Sequence, residues 1–371
     1  MRKRIGLAVL GFTLNFAIAS RIASQARVHQ PTPVASLVPT LTKQQIQAEH
    51  NLLRVTDFSR EDVNNTTADS SLAIHVESNE RSQHGNNVSV DGLYAQAVSQ
   101  DIPETEDGER FRRIMQEARS QKLHERPMGD IMQAIADSFL GTAYKAGLLD
   151  ESKEETLVVT LTQFDCVLFL ETVLAIARGV AIQDYSYSTF GDRIQDQRYR
   201  DGQMDGYCSR LHYFSEWIVD NEKRGTLQNI DQELGGVPLN KKINFMSTHR
   251  QSYPRLSDDA TYQCIAEMES KFNDVAVNYI PTNQIRRVYP QLQPGDIVAV
   301  ATNISGLDVT HTGLVYRSPD GKIGFIHASP VGQVTIARDL ERYVSKVENA
   351  IGILVTRPVD SRQLREASIS R

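Results

Sequence analysis

The stretch Thr162-Gln-Phe-Asp-Cys-Val-Leu-Phe-Leu-Glu-Thr-Val-Leu-Ala-Ile-Ala-Arg-Gly179 decides how the rest of the chain is organised. From Val167 to Ala177 the residues are nearly all apolar, which predicts a helix enclosed on every side rather than half exposed. Gly179 is a typical C-terminal stop, and Asp165 stands where an N-cap belongs. Cys166 therefore falls in the first turn of a buried helix.

Cys166 has two interpretations. A thiol at a helix N-terminus feels the positive end of the helix dipole, which lowers its pKa, and nearby backbone N–H groups can form part of an oxyanion site. On that interpretation Cys166 is a nucleophile. The alternative is a small core residue, because free cysteine is among the most buried residue types. The helix alone does not decide between them.

Length, charge and short motifs limit the class of protein. A chain of 371 residues holds two domains or one large domain with tails, and an apolar fraction of 40% supports a real core. The net charge of -6 comes with no concentrated basic face, so no nucleic-acid partner is expected. The sequence has no Cys-x-x-Cys and no His-Glu-x-x-His, so we expect neither a metal nor a cofactor.

The first residues have the pattern of an export signal. Met1-Arg-Lys-Arg4 is basic, the segment from Ile5 to Ala19 is apolar, and Ser24-Gln-Ala26 offers small residues to a signal peptidase. A membrane anchor is the alternative, but about 15 apolar residues are short of the ~20 needed to span a bilayer. We therefore expect a signal peptide over residues 1–26 and a periplasmic or extracellular protein without a stable membrane span after cleavage.

Composition divides the rest of the chain into three parts. Residues 27–107 are polar and poorly patterned, so they cannot bury enough apolar surface to offset the entropy of ordering. They are predicted to be a disordered spacer. Residues 108–358 are predicted to form one folded domain, followed by a C-terminal tail over 359–371.

The first half of the predicted domain is mostly helical. Apolar residues recur at helical spacing over 109–122, from Pro127 to Leu140, over 209–221 and over 258–272. Residues 156–161 predict a strand directly before the cysteine helix. Cys264 falls on an apolar helix face and is assigned to packing, although a bridge between Cys208 and Cys264 would also leave Cys166 free.

After Pro294-Gly295 the apolar pattern changes to a period of two. Five segments are predicted as strands of an antiparallel sheet or partial barrel: 296–301, 309–316, 322–327, 334–336 and 350–356. Helices come first and the sheet second, which indicates an α+β fold rather than a doubly wound parallel sheet.

Two histidines fall on the two strands of one predicted hairpin. His311 and His327 flank the turn Ser318-Pro-Asp-Gly321. If the loop has an odd number of residues, His327 pairs with Gly313 and shares a face with His311, so that the rings can meet. A lone strand histidine is usually structural, but two beside a helix-start thiol favour a thiolate activated by His311 and an imidazole oriented by His327.

Three motifs carry a resemblance to a known family: Phe164-Asp-Cys166, His311-Thr-Gly-Leu314 after Pro294-Gly-Asp296, and Phe325-Ile-His-Ala-Ser329. Together they resemble the NlpC-type papain-like cell-wall hydrolases. Four longer stretches are Phe164-Asp-Cys-Val167, Ser209-Arg-Leu-His-Tyr213, Gly306-Leu-Asp-Val-Thr-His311 and Ile326-His-Ala-Ser329. These more closely resemble a subfamily of N-acetylmuramoyl-L-alanine amidases, over roughly residues 109–358.

The resemblance implies a fold and a set of functional residues. The fold is a papain-like NlpC-type α+β fold, in which an N-terminal helical half carrying the cysteine helix packs on a C-terminal antiparallel sheet. Cys166 is implied as nucleophile, His311 as general base and then acid, and His327 as the residue that orients His311. The remaining implied residues stabilise the oxyanion, shape the site or contact substrate: Tyr144, Asp165, Arg210, His212 and Asp308.

The resemblance also implies a substrate. The expected reaction is hydrolysis of the amide joining the lactyl group of N-acetylmuramic acid to L-alanine, in peptidoglycan or its muramyl-peptide fragments. One alternative is an endopeptidase of the same fold that cuts between D-glutamate and the diamino acid of the stem peptide. Another is a peptidoglycan-binding module without turnover, which the intact Cys166, His311 and His327 disfavour.

Overall fold

The structure, a computed structural model, describes residues 101–273 and 275–364. The predicted signal peptide, most of the predicted spacer and the end of the predicted tail lie outside these residues. The α-helices are α1 Glu106–Ser120, α2 Met128–Asp137, α3 Cys166–Ala181, α4 Tyr187–Arg198, α5 Phe214–Lys223, α6 Phe245–Thr248, α7 Asp259–Phe272, α8 Ile285–Val288 and α9 Leu340–Val344. Within the described ranges, no helix is both long and apolar enough to cross a membrane.

The strands form one large and one small sheet. They are β1 Ala143–Tyr144, β2 Gln163–Phe164, β3 Leu227–Asn229, β4 Val237–Pro238, β5 Asn278–Pro281, β6 Ile297–Thr302, β7 Val309–Arg317, β8 Ile323–Ala328, β9 Val334–Ala337 and β10 Ala350–Pro358. β1 and β2 pair in parallel. The large sheet has the order β4-β5-β10-β6-β7-β8-β9, with β3 also paired to β10. Its pairings are antiparallel, so the mixed α+β prediction and its five C-terminal strands are confirmed.

The hairpin between β7 and β8 has a defined register. Leu314 pairs with Ile326 and Arg317 with Ile323, which leaves residues 318–322 as a loop of odd length. Continuing that register by one residue puts His327 opposite Gly313. His311 and His327 therefore point to the same face of the sheet.

The central strands are buried on both faces. Ile297 and Ala299 pack in one cluster with residues of α1 to α5, whereas Val298 and Val300 pack in another with residues of α8 and α9. Alternate residues of β6 thus face two different cores. This arrangement explains why the strands are apolar at nearly every position.

Helix α3 is enclosed, as its sequence predicts. All its residues except Val167 and Arg178 are buried. The helix ends at Ala181 rather than at Gly179, whose carbonyl accepts a hydrogen bond from Asp184 N at 2.9 Å. The packing of α3 against α2, α4 and β7 fixes its first turn relative to the sheet.

The predicted strand over residues 156–161 is wrong. The segment contains no strand, because side chains rather than a neighbouring strand bind its backbone. Leu161 N donates to Asp107 Oδ1 at 2.6 Å, and Val158 O accepts from Arg198 Nη1 at 2.5 Å. The strand before the cysteine helix is the two-residue β2 instead.

Three smaller predictions also need correction. The helix predicted over 209–221 begins only at Phe214. Leu140, expected on a buried helix face, is 43% exposed, because α2 ends at Asp137 and the chain turns away. Cys264 is not a simple packing residue, since it forms a disulfide with Cys208.

Candidate active site

Cys166 is the first residue of α3 and is fully buried. Asp165 caps the helix, because its Oδ1 accepts hydrogen bonds from Val167 N and Leu168 N, both at 2.9 Å. Thr312, the neighbour of His311 on β7, donates its Oγ1 to Cys166 O at 3.0 Å. The structure therefore holds the thiol end of α3 against the strand that carries His311.

The thiol is protonated at neutral pH. Burial raises the pKa of Cys166 to about 12, the charge of Asp165 acts in the same direction, and hydrogen bonds with Thr312 oppose both. The sequence predicted a lowered pKa from the helix dipole. In the structure, the loss of solvation of the thiolate outweighs the helix N-terminus. Burial also raises the pKa of Asp165, to about 7.

The rings of His311 and His327 meet across the hairpin. The Nε2 of His311 and the Nδ1 of His327 are 2.7 Å apart, and both residues are buried. Burial, followed by the charge of His327, lowers the pKa of His311 well below its usual value. Burial lowers the pKa of His327 to about 3. Both rings are therefore neutral at pH 7, and one N–H is shared between them.

Tyr343 in α9 lies beside both histidines, and nothing in the sequence pointed to it. Its ring centroid is 4.7 Å from that of His327 and 5.9 Å from that of His311. Burial raises the pKa of Tyr343, and the charge of Cys166 adds to this shift, so the phenol also lies near the thiol. The local signal for α9 is its N-cap, Asp339, which accepts from Arg342 N at 2.8 Å.

Tyr144 approaches the thiol from the small sheet. It pairs with Phe164, two residues before Cys166. Burial raises the pKa of the Tyr144 phenol, and the charges of Cys166 and Asp165 add to the effect. Its Oη is buried and has no hydrogen-bond partner among residues 101–273 and 275–364. The hydroxyl can therefore donate to a group that enters the site.

Arg210 and His212, two of the residues that the resemblance implies, are buried and bound to other protein groups. Arg210 is 3% exposed and donates to Glu155 Oε2 at 2.7 Å and to Asp150 Oδ1 at 3.1 Å. His212 is 6% exposed, with its Nε2 2.8 Å from Tyr207 O. Because the guanidinium is bound by two carboxylates, Arg210 ties residues 150–155 to the start of α5.

Asp308 is also buried and paired. Its Oδ2 accepts from Ser215 N at 2.8 Å and from Ser215 Oγ at 2.6 Å, which joins α5 to the loop before β7. Burial raises the pKa of Asp308, and the bonds from Ser215 oppose that rise. The carboxylate therefore holds the beginning of the His311 strand against α5.

Comparison with known proteins identifies the family of the part of the chain that holds these residues. The model of the AmiA-like family, described as N-acetylmuramoyl-L-alanine amidase-like, matches residues 134–353, more than half of the chain. The chain belongs to the AmiA-like family. The AmiA-like region contains all eight predicted site residues together with Tyr343. No curated protein matches the chain.

Solved structures resemble the AmiA-like region. An N-acetylmuramoyl-L-alanine amidase from Bacteroides uniformis is 31% identical, with a TM-score of 0.59 over 62% of this chain and 99% of its own. A Bacteroides fragilis protein whose suggested activity is that of a xylanase is also 31% identical, with a TM-score of 0.56 over 60% of this chain and 99% of its own. A Legionella pneumophila protein, 21% identical with a TM-score of 0.53 over 73% of this chain and 97% of its own, supports the shared fold alone.

Proposed function

We propose that this AmiA-like chain is a cysteine amidase that hydrolyses the N-acetylmuramoyl-L-alanine amide of peptidoglycan or its fragments. The observation that carries the proposal is a free thiol at the start of a buried helix, held against the strand of a histidine pair whose nitrogens are 2.7 Å apart. A thiol, a base and a third group that orients the base are the parts that nucleophilic amide hydrolysis needs. We further propose that the fold is the papain-like fold of the NlpC type.

In the proposed first step, Cys166 Sγ attacks the lactyl carbonyl carbon while its proton passes to His311. His327 accepts the N–H of His311 Nε2, so that Nδ1 of His311 serves as the basic nitrogen. The carbonyl oxygen becomes an oxyanion. The backbone N–H of Cys166, at the first position of α3, and the hydroxyl of Tyr144 stabilise it.

The next steps release the two products. His311 gives its proton to the alanine nitrogen, the C–N bond breaks, and a thioester to Cys166 remains. Water then attacks the thioester carbonyl and loses a proton to His311. The C–S bond breaks, and His311 returns the proton to the leaving sulfur, which restores the starting thiol.

Proton transfer in this proposal accompanies attack rather than preceding it. Burial raises the pKa of Cys166 and lowers the pKa of His311, so the resting pair is thiol and neutral imidazole. Such a pair avoids two buried charges before substrate binds. The oxyanion donors then supply stabilisation only when charge develops in the transition state.

We propose that a signal peptide over residues 1–26 is followed by a spacer, the catalytic domain and a C-terminal tail. The predicted boundary between residues 107 and 108 falls inside α1, which begins at Glu106, so the folded domain starts before residue 108. The disulfide between Cys208 and Cys264 supports export to the periplasm or beyond, because such bonds persist in oxidising compartments. Arg210, His212 and Asp308 would shape the substrate cleft through their buried contacts.

The test is product analysis by mass spectrometry on a defined N-acetylmuramoyl-L-alanyl peptide. We expect the wild-type protein to release a peptide that begins with L-alanine. Cys166→Ala should lower kcat by about 10⁴-fold or more, and His311→Gln by about 10²- to 10⁴-fold. His124→Gln is the matched control, since His124 lies beside Glu125 in the short 3-10 turn after α1 and its replacement should leave kcat unchanged.

Other outcomes separate the alternatives. Cleavage between D-glutamate and the diamino acid would identify an endopeptidase that uses the same site. Binding of muramyl peptide without cleavage would identify a binding module. Unchanged turnover by Cys166→Ala would exclude the thiol mechanism. Because Cys166 is the one cysteine outside the disulfide, alkylation reports on this thiol alone.

A further inference from the structure

A cavity of about 360 Å³ opens next to Tyr343. Its walls come from the segment after β8 and from the residues around α9: Ser329, Pro330, Val331, Arg338, Arg342 and Lys346. None of these residues belongs to the thiol site described above. Tyr343 lines the cavity as well, so it forms the wall that the cavity shares with His311 and His327.

The cavity is positively charged. Arg338, Arg342 and Lys346 are exposed, and within residues 101–273 and 275–364 no carboxylate forms an ion pair with any of them. The acidic residue in the wall, Asp339, is already occupied. Its carboxylate accepts from Arg342 N at 2.8 Å and pairs with Arg286 at 3.0 Å. Three cations therefore face the cavity with little local compensation.

One wall of the cavity is apolar. Val331 is 77% exposed, more than any other large hydrophobic residue in the described part of the chain, and Pro330 lies beside it. An exposed apolar side chain facing three cations suits a ligand that carries both aliphatic groups and negative charges. A peptide with acidic residues has this composition.

The position of the cavity fixes which part of a substrate could reach it. Ser329 follows His327 by two residues, and Tyr343 touches the His327 ring, so a substrate bound at the thiol could continue into the cavity. The sugar and lactyl part of a muramyl peptide, on the acyl side of the scissile amide, carries no charge. The peptide on the amine side carries the carboxylates of D-glutamate and the diamino acid.

We propose that this cavity is the subsite for the acidic peptide on the leaving-group side of the scissile amide, with Arg338, Arg342 and Lys346 binding its carboxylates. The inference rests on the amidase function proposed above and specifies which half of the substrate lies on which side of the thiol. The peptide extends from Cys166 past Tyr343 along α9. Val331 and Pro330 pack against its aliphatic groups.

The test compares two substrates that differ only in charge. We would measure kcat and KM on N-acetylmuramoyl-L-alanyl-D-glutamate, which carries two carboxylates, and on its uncharged diamide, in which both are amidated. Replacing Arg338, Arg342 and Lys346 by Gln together should raise KM for the charged substrate by about 10-fold, since each exposed pair contributes modestly. The KM for the uncharged analogue should hardly change, and kcat should be retained on both.

Two controls make the result specific. Arg112→Gln removes an exposed cation on α1, outside the cavity, and should leave both KM values unchanged. Added salt should raise KM for the charged substrate with the wild-type protein and have a smaller effect on the triple variant. An equal rise in KM for both substrates, or no rise for either, would contradict the proposed subsite.

Failure of the amidase proposal would be visible separately. If the wild-type protein hydrolyses neither substrate, the amidase function is wrong. Calorimetry with the free peptide L-alanyl-γ-D-glutamyl-diaminopimelate then tests the cavity directly. Weaker binding by the triple variant than by the wild type supports the subsite, and equal binding by the two contradicts it.

Discussion

The Asp165 carboxylate has two effects on α3 that work against each other. It stabilises the helix, because its Oδ1 accepts the N–H groups of Val167 and Leu168. Its charge also opposes ionisation of the neighbouring Cys166 thiol. Since burial raises the pKa of Asp165 to about 7, the carboxylate is charged throughout the range above pH 7 in which the thiol titrates. Asparagine would keep the first effect and remove the second.

We therefore predict that Asp165→Asn shifts the alkylation of Cys166 to lower pH. The removed charge was raising the pKa of the thiol, so its loss favours the thiolate. The free energy of unfolding should stay close to that of the wild type, because asparagine is also a good N-cap. Alkylation rates between pH 7 and 11 and urea unfolding at pH 8 measure the two effects.

Asp165→Ala is the control that separates cap from charge. It removes both, so it should shift the alkylation profile in the same direction and also cost about 1 kcal/mol of stability. An alkylation profile for Asp165→Asn that overlays the wild type would show that the carboxylate does not act on the thiol.

At the scale of elements, a buried ion pair joins the thiol helix to its neighbour. Arg198 at the end of α4 donates from Nε to Glu171 Oε2 in α3 at 2.7 Å, and the two side chains are 2% and 1% exposed. Arg198 also donates to Val158 O at 2.5 Å. A single guanidinium thus fixes α3, α4 and the segment that leads to β2 and Cys166.

We predict that Arg198→Met destabilises the protein by about 3–5 kcal/mol at pH 8, because it leaves the Glu171 carboxylate buried without its partner. Burial raises the pKa of Glu171 even beside Arg198. Without Arg198 the pKa rises further, so Glu171 takes up a proton as the pH falls. The loss of stability should therefore be smaller at pH 5 than at pH 8. Urea unfolding at the two pH values measures it.

The exposed pair of Lys223 and Asp201 provides the comparison, with side chains 70% and 59% exposed. Lys223→Met should change stability far less than Arg198→Met and show little dependence on pH over the same range. The double variant Glu171→Leu with Arg198→Met should lose less than the sum of the two single changes. Additive losses would contradict a direct pairing.

The features that could be predicted from the sequence are those marked by residues close together in the chain. The α3 helix is marked by its apolar run and its N-cap, the C-terminal strands by their period of two, and the odd loop between β7 and β8 brings His311 to His327. Tyr343 could not be predicted, because it reaches the site from a five-residue helix through packing alone. The prediction of a strand over 156–161 is wrong because Asp107 and Arg198, both distant in sequence, bind the backbone of this segment.

At the scale of the whole molecule, the site depends on contacts between distant parts of the chain. Thr312 and Cys166, whose hydrogen bond joins the sheet to α3, are 146 residues apart. Ser215 and Asp308, which join α5 to the same strand, are 93 residues apart. Long-range contacts of this kind form late in folding and are sensitive to anything that restrains the chain between them.

The disulfide is such a restraint, because it links Cys208, just before the Arg210 segment, to Cys264 in α7 across 56 residues. We predict that Cys208→Ala with Cys264→Ala lowers the free energy of unfolding by about 2–4 kcal/mol, chiefly by releasing the unfolded chain. Urea unfolding of the oxidised wild type, with and without reductant, is the measurement.

Reductant should lower the free energy of unfolding of the wild type to that of the double variant. It should leave the free energy of unfolding of the double variant unchanged. Thiol counting under denaturing conditions should give one free thiol before reduction, from Cys166, and three after it. Three thiols in the unreduced protein, or equal stability of wild type and double variant, would show that no disulfide restrains the chain.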